Sequence, residues 1–137
     1  MTQRQAIQIE GRARELIEAP NFVTLATERE DGSTHLTVIW GDLEDGRIAV
    51  NSAEGRVWPE NLRRNPEVSL VVVNGENQYE YVSVRGRVVE DTHEGADEHI
   101  NGLAKKYLGK DEYPFRRPGE QRIRFLIEPE WVSVHGG

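Results

Sequence analysis

Short segments rich in β-branched residues, each followed by a turn sequence, recur through most of this chain. Phe22–Thr27 runs into the turn Glu30–Ser33, Thr34–Trp40 follows it, and the turn Asp45-Gly46 precedes Arg47–Asn51. Segments of this length and composition, separated by glycine-containing turns, predict antiparallel strands joined as hairpins. We expect these first three strands to pair in sequence order, as a meander.

The rest of the chain alternates strands with three predicted helices. Further strands are expected at Glu67–Asn74, at Tyr79–Glu90, and at Arg122–Ile127 together with Trp131–Val134. Apolar residues at helical spacing predict helices over Arg4–Glu18, Val57–Arg64 and Ala96–Leu108. The segment Lys110–Glu120 contains two prolines and is predicted to be a surface loop.

This succession of elements predicts one domain over residues 1–137 of a mainly β (α+β) class. Half a dozen strands with closely spaced turns and only three helices favour a closed or partly closed antiparallel barrel with the helices outside it. A strand as long as Tyr79–Glu90 leaves unpaired backbone groups at the edge of an open sheet. Closure of the barrel or dimerisation would cover that edge.

Composition excludes several classes of function. The formal net charge is −7, which argues against general nucleic-acid binding. The absence of cysteine excludes disulfides, thiol nucleophiles and cysteine-ligated metals, and it fits a reducing cytoplasm. The apolar run Val68–Val73 is far shorter than the about 20 residues that a membrane-spanning helix needs, and the first 18 residues are too charged for a signal peptide. We therefore expect a cytoplasmic protein with no membrane span.

Motifs for hydrolysis, metal binding and Rossmann-type dinucleotide binding are missing from the sequence. Neither Gly-x-Ser-x-Gly nor His-Glu-x-x-His occurs, and no Gly-x-Gly-x-x-Gly follows a strand. The four histidines, His35, His93, His99 and His135, are scattered, with no carboxylate at helical metal-ligand spacing. We therefore expect no metal site.

The segment Asn51–Pro66 carries the strongest signal for a ligand. A strand runs into small and polar residues and then into a helix, whose first turn presents free N–H groups beside Arg56. This arrangement is typical of phosphate binding. For Arg63 and Arg64 we favour a structural role, as cations that complement the carboxyl end of the helix, and for Trp58 a core or interface position.

The order of these motifs resembles the split β-barrel flavin-binding proteins related to pyridoxamine 5′-phosphate oxidase, and more narrowly their branch that uses the deazaflavin coenzyme F420. The resemblance covers nearly the whole chain and rests on Leu25-Ala26-Thr27, Asp31-Gly32-Ser33, Leu36–Trp40, Gly55-Arg56, Asn61–Pro66, Val82–Val88 and Leu103–Gly109. It implies a six-stranded split barrel that forms a homodimer, with two equivalent cofactor sites at the subunit interface.

The resemblance also implies which residues bind the cofactor. Thr37, Val38, Ile39 and Trp40 match the platform behind the ring, Asn51 and Ser52 match the strand end beside its chain, Arg56 matches a phosphate-binding arginine, Asn61 lies near it, and Tyr79 and Tyr81 match positions that reach the site from the other subunit. Many relatives carry a lysine where this chain has Trp58. One phosphate-directed cation is therefore missing from this region.

The function implied by the resemblance is an F420H2-dependent reductase that passes a hydride to an unsaturated or conjugated small molecule. Hydride transfer needs a positioned ring and exclusion of water rather than a side-chain nucleophile, which agrees with the missing motifs. Tyr81, His35 or bulk water would supply the proton. An FMN-dependent oxidoreductase on the same barrel and a non-catalytic cofactor-binding protein remain alternatives.

Overall fold

The computed structural model describes residues 7–136 as a mainly β domain. Its elements are α1 (Gly11–Glu18), β1 (Val23–Glu28), β2 (Thr34–Ile39), β3 (Gly41–Glu44), β4 (Arg47–Ala53), α2 (Val57–Arg64), β5 (Glu67–Val73), β6 (Tyr81–Thr92), α3 (Ala96–Leu108) and β7 (Arg122–His135). Residues 110–120 contain no helix or strand, which confirms the predicted loop. Among residues 7–136, no helix is both long and apolar enough to cross a membrane.

The seven strands form one antiparallel sheet that curls into a split barrel. The strand order is β2-β1-β5-β6-β7-β4-β3, so β2 and β3 are the two edges of the sheet. Only Trp40 separates these edges along the chain. Because one residue cannot span a flat sheet of seven strands, the sheet must curl until its two edges meet at Trp40. The predicted barrel class is confirmed, with seven strands rather than six because Gly41–Glu44 forms a strand of its own.

The predicted meander is wrong. β4 pairs with β3 and β7, and it lies at the opposite end of the sheet from β1. The chain leaves β2 at the corner where Gly41 approaches β1 so closely that a Cβ atom there would lie 3.1 Å from Val23 Cγ2. After this corner, the predicted turn at Asp45-Gly46, with φ values of 51° and 81°, returns β3 to β4.

Two of the three predicted helices are confirmed with the expected bounds, and the first is shorter than expected. α1 begins at Gly11, not at Arg4; residues 4–6 lie outside the described part of the chain. Gly11 has φ +58°, a left-handed conformation that ends helical backbone. Before it, Ile7 is held by β7, because its N–H donates to the carbonyl of Pro129 at 3.2 Å.

The predicted strands differ from the observed ones by one or two residues at several ends, and two differences have a clear cause. β6 begins at Tyr81 because residues 74–80 form a turn, in which the Glu80 N–H donates to the carbonyl of Asn77 at 2.9 Å. The two final segments, predicted as one strand or two, form one strand, β7, which pairs with β6 along most of its length and with β4 at its start.

The core lies inside the curled sheet and beneath α1 and α2. Leu25, Val50 and Phe125 have no exposed surface there, and Leu16 and Ile17 of α1 cover one side. The other face of the strands points away from this core, and on β2 it leaves Leu36 and Val38 about two-thirds exposed, at 66% and 64%. The barrel therefore has a filled interior and an outer face with uncovered apolar residues.

Candidate functional site

A cavity opens at the corner where the two edges of the sheet meet. Its volume is about 220 Å³. Its walls come from the ends of β2 and β4, from α3, and from the loop between α3 and β7. The lining residues are Phe22, Val38, Ile39, Trp40, Asn51, Arg56, Ile100, Leu103, Tyr113, Phe115 and Arg122. Most of the wall is apolar or aromatic, and the polar groups are gathered at one end.

The aromatic wall is built around Trp40. Its ring stacks on Tyr107 at 5.3 Å with an interplanar angle of 7°, and Tyr113 meets it edge-on at 6.0 Å. Tyr107 is itself fixed, because its hydroxyl donates to the carbonyl of Asn21 at 2.6 Å and accepts from the Gly41 N–H at 3.2 Å. The Trp40 ring is thus held by two aromatic neighbours and forms part of the cavity wall.

A half-buried cation, Lys106, stabilises the same corner. Lys106 Nζ donates to the carbonyls of Ile17 and Gly41 at 2.7 and 2.6 Å, which ties α3 to α1 and β3. Burial lowers the pKa of the Lys106 ammonium and raises the pKa of the Tyr107 hydroxyl. These shifts keep the phenol neutral, and both side chains serve the geometry of the corner.

Asn51 and Arg122 form the polar end of the cavity. Arg122 is only 3% exposed, and its Nε donates to Asn51 Oδ1 at 2.9 Å. Its Nη1 makes an ion pair with Glu120, and its guanidinium lies 5.0 Å from the centre of the Tyr113 ring. The buried arginine is therefore neutralised by one carboxylate and held in place by two further neighbours.

Arg56 supplies a cation that makes no direct ion pair with a carboxylate of the described residues, although it interacts at longer range with the Glu120 carboxylate. It is the residue before α2, in extended backbone with φ −86° and ψ 159°, and it follows Gly55, whose φ is +92°. Its side chain lines the cavity and is exposed, and it makes no ion pair with any residue between 7 and 136. The first turn of α2, with its free N–H groups, begins directly after it. This end of the cavity is suited to an anion.

The structure brings five of the predicted cofactor-binding residues to this cavity: Val38, Ile39, Trp40, Asn51 and Arg56. Three others lie in the body of the domain. Ser52 is fully buried with no hydrogen-bond partner for its hydroxyl among the described residues, Asn61 donates to Thr27 Oγ1 at 3.1 Å, and Thr37 lies opposite Leu25 in the sheet.

The remaining predicted site residues do not line the cavity. Trp58 is 5% exposed and packs against Phe125 at 5.3 Å between ring centres, as a core residue. Tyr79 is 87% exposed in the turn before β6, and Tyr81 stacks on His135 at 4.8 Å. The suggested proton donor His35 is half-buried on β2, where its Nδ1 has no partner in the described region. The predicted approach of Tyr79 and Tyr81 from a second subunit stays a prediction.

Sequence reasoning missed the part of the cavity that comes from the second half of the chain. Tyr113 and Phe115 lie in a loop with no regular pattern, and Arg122 begins a strand in which arginine and apolar residues alternate. Such alternation indicates a solvent-facing arginine. Only the pairing of β7 with β4, which brings Arg122 opposite Ala53, places it beside Asn51.

Arg63, at the other end of α2, contacts carboxylates instead of the cavity. Its guanidinium reaches Glu54 and Asp91 at 2.8 Å and Glu60 at 2.9 Å. Hydrogen bonds from Arg63 and then His93 lower the pKa of the Glu54 carboxyl to about 2. Arg63 thus ties α2 to β6, which agrees with the structural role favoured for it.

Several known proteins share this architecture. A structure named F420 Reductase aligns over 91% of this chain and 98% of its own, with a TM-score of 0.79 and 24% identity. A conserved hypothetical protein from Mycobacterium tuberculosis aligns over 98% of this chain and 89% of its own, with a TM-score of 0.70 and 22% identity. General Stress Protein 26 from Bacillus anthracis aligns over 88% of both chains, with a TM-score of 0.63 and 17% identity.

At these identities the structural likeness establishes the fold, and the family follows from the sequence. No curated protein matches the chain significantly. The sequence profile described as pyridoxamine 5′-phosphate oxidase, however, matches residues 9–136, almost the whole chain. This protein therefore belongs to the pyridoxamine 5′-phosphate oxidase family.

Proposed function

We propose that this protein is a cytoplasmic, homodimeric F420H2-dependent reductase that transfers a hydride to an unsaturated or conjugated small molecule. The observation that carries the proposal is a single cavity that is lined by the aromatic ring of Trp40 and by Arg56, a cation with no direct ion pair among residues 7–136. A deazaflavin cofactor combines a flat ring with a chain that carries phosphate. The aromatic and cationic groups of this cavity fit both parts of such a molecule.

Different residues of the cavity would bind the ring and the phosphate of the cofactor. Val38, Ile39 and Trp40 would back the ring, and Arg56 together with the N–H groups of Val57 and Trp58 at the start of α2 would bind the phosphate. FMN has the same two parts, so the cavity alone accommodates either cofactor. The likeness to a protein named F420 Reductase supports the deazaflavin as the first choice.

When bound, the reduced deazaflavin supplies the hydride. The chain has to hold the substrate against the ring, exclude water, and allow a proton to reach the reduced substrate. Phe22 and Phe115 line the apolar part of the cavity, where they would shield a bound ring from solvent. Tyr113 carries a hydroxyl group on the cavity wall, which makes it a nearer proton donor than Tyr81 or His35 of the same chain.

The outer face of the sheet supports a dimer. One row of side chains crosses five strands on this face: Leu36, Ala26, Ser69, Arg85 and Trp131. Leu36 and Trp131 at its ends are large and apolar, Ala26 and Ser69 are small, and the Arg85 guanidinium lies 4.6 Å from the centre of the Trp131 ring. This row offers a second copy a shallow surface that is apolar except for Arg85. Val38 is exposed on this face and also lines the cavity. A partner on this face would therefore lie next to the cofactor site and would bring residues such as Tyr79 and Tyr81 within reach.

A pair of fluorescence titrations tests the cofactor assignment. Purified protein, freed of any cofactor, is titrated separately with F420 and with FMN at matched salt. Low-micromolar binding of F420 with much weaker binding of FMN supports the proposal. The reverse preference assigns the same cavity to an FMN-dependent oxidoreductase.

Turnover tests the catalytic part. Protein loaded with F420H2 is mixed with enones, quinones and tetrapyrroles, and oxidation of the cofactor is followed by absorbance. Oxidation that depends on both protein and substrate supports a reductase. Tight binding with no turnover across this panel assigns the protein to a non-catalytic cofactor-binding role instead.

A further inference from the structure

A chain of four hydrogen-bonded side chains runs from the surface to the cavity. Asp42 on β3 meets His99 Nε2 at 3.1 Å, His99 Nδ1 meets Asn51 Nδ2 at 3.0 Å, and Asn51 Oδ1 accepts from Arg122 Nε at 2.9 Å. Asn51 and Arg122 line the cavity, whereas Asp42 is partly exposed. His99, whose side chain is only 8% exposed, connects the surface carboxylate to the cavity.

Two neighbours determine the orientation of the Asn51 carboxamide. Arg122 Nε can only donate, so the atom that meets it is the amide oxygen. The carbonyl of Ala96 can only accept, so the atom that meets it, at 2.9 Å, is the amide nitrogen. A carboxamide turned by half a revolution would set N–H against the guanidinium and oxygen against the carbonyl, and it would lose both bonds.

This orientation determines the tautomer of His99. Because Asn51 Nδ2 donates to His99 Nδ1, that ring nitrogen must be free of a proton. The proton therefore lies on Nε2 and is donated to Asp42. His99 is thus the acceptor for one of the two amide N–H groups of Asn51, and Ala96 is the acceptor for the other.

We propose that His99 is a positioning residue that holds Asn51 as a hydrogen-bond acceptor toward the ligand, an inference that rests on the proposed function of this cavity. With both of its N–H groups occupied, Asn51 has only a lone pair of Oδ1 left to offer. Arg122 retains N–H groups beyond the two that bind Asn51 and Glu120. The polar end of the cavity therefore presents an acceptor beside donors.

This arrangement selects the chemistry of the ligand group that it meets. A hydroxyl both donates and accepts, so one hydroxyl can donate to Asn51 Oδ1 and accept from Arg122. A carbonyl or an ether oxygen can use only the arginine. We expect the ligand to place a hydroxyl of a polyol chain here, between the ring on Trp40 and the phosphate at Arg56.

Two substitutions of similar size separate the positioning role from a merely structural one. In His99→Asn the shorter amide reaches the position of Nδ1 and can still accept from Asn51, but it loses Asp42. In His99→Gln the longer amide reaches the position of Nε2 and keeps the contact with Asp42, but it leaves the Asn51 N–H unpaired. Thermal unfolding of both variants checks that they fold.

We expect His99→Gln to raise the dissociation constant for F420 by about threefold to tenfold, the effect of one lost hydrogen bond. In His99→Asn, which keeps that hydrogen bond, we expect a dissociation constant within about twofold of the wild-type value. The reverse order would show that the tether to Asp42 matters, and equal losses would show that only packing matters. Either result overturns the proposal.

Nitrogen NMR of the cofactor-free protein tests the same inference without any ligand. The His99 ring should carry its proton on Nε2, and the Asn51 side-chain N–H signals should shift in His99→Gln far more than in His99→Asn. A proton on Nδ1 would overturn the inference. If the tautomer is as expected and neither F420 nor FMN binds, the proposed function fails while the orientation of Asn51 stands.

Discussion

The two ends of helix α2 each carry an arginine, and the two arginines are used in opposite ways. Arg56, just before the helix, lines the cavity and has no ion-pair partner in the described part of the chain. Arg63, in the last turn, is surrounded by Glu54, Glu60 and Asp91. The same residue type thus serves a ligand site at one end and the structure at the other.

The difference shows what distinguishes a binding cation in an acidic protein. With 24 acidic and 17 basic residues, most cations of this chain can find a carboxylate, and Arg63 finds three. A cation that remains unpaired beside a cavity keeps its charge available for an anion. The position of each arginine relative to the helix determines whether it can bind an anion or stabilise the fold. The free N–H groups of the first turn attract an anion together with Arg56, whereas the carbonyl groups of the last turn attract the Arg63 guanidinium.

The first turn of α2 sets the largest expected effect, because Trp58 in this turn packs the helix against the core. In Trp58→Lys, an ammonium group would replace a ring that is 5% exposed and packs on Phe125. We expect a loss of at least about 3–5 kcal/mol in the free energy of unfolding, the range for removing a buried aromatic ring. Urea denaturation measures it.

Trp58→Phe is the control, since it keeps an aromatic ring against Phe125 and should lose far less stability. A stable Trp58→Lys protein that binds F420 more tightly than the wild type would contradict this packing. It would show that a lysine at this position reaches the phosphate, as in many relatives.

Removal of the unpaired cation should weaken the binding of the cofactor and leave the fold intact. For Arg56→Ala we expect a loss of about 1.5–3 kcal/mol in binding free energy, as for a charge-assisted hydrogen bond, or roughly 10- to 150-fold in dissociation constant. Titration with F420 measures it, and thermal unfolding should be unchanged. An unchanged affinity would reduce Arg56 to a solvated residue at the start of the helix.

Local patterns were sufficient to predict most of the elements of this fold. The apolar spacing and Pro59 in the first turn predict α2 with its observed bounds, and the Asp45-Gly46 turn lies where it was expected. The prediction placed the start of α1 too early, because Ile7 fits a helical pattern. Only the hydrogen bond from its N–H to the Pro129 carbonyl shows that this segment lies along β7. A contact between the two ends of the chain leaves no local signal.

For the same reason, only the cavity residues that come from the first half of the chain could be predicted from the sequence. Trp40, Asn51 and Arg56 belong to motifs that are contiguous in sequence and resemble a known family. Arg122 enters through the pairing of β7 with β4, about 70 residues away along the chain. The inward direction of Trp58 likewise depends on Phe125, so sequence spacing could not decide whether it faced the core or the ligand.

The paired arginine should affect stability instead of binding. For Arg63→Ala we expect a loss of about 1 kcal/mol in the free energy of unfolding near neutral pH, a modest value because its ion pairs are partly exposed. The pKa of Glu54 is lowered from 4.5 to about 2 in the folded protein, so its contribution is present above 4.5 and is lost as the pH falls toward 2.

The difference in stability between the wild type and Arg63→Ala should therefore shrink over this acidic range, which urea denaturation at a series of pH values measures. A difference that stayed constant down to about pH 2 would show that Arg63 acts through packing of its stem and not through Glu54. The affinity for F420 should be the same in both proteins at neutral pH.

The smallest expected effect separates a local cation from a general positive field. Arg64 is exposed, and among residues 7–136 its side chain donates to Asn61 Oδ1 at 3.1 Å and, more weakly, to the carbonyl of Glu28 at 3.4 Å. For Arg64→Ala we expect the free energy of unfolding to change by no more than about 0.5 kcal/mol and the affinity for F420 not to change.

Three variants, Arg56→Ala, Arg63→Ala and Arg64→Ala, each remove one positive charge from α2 or from the residue just before it. If the three variants lost affinity equally, the protein would attract its ligand through net charge. A loss confined to Arg56→Ala would instead assign recognition to the contact at the start of α2.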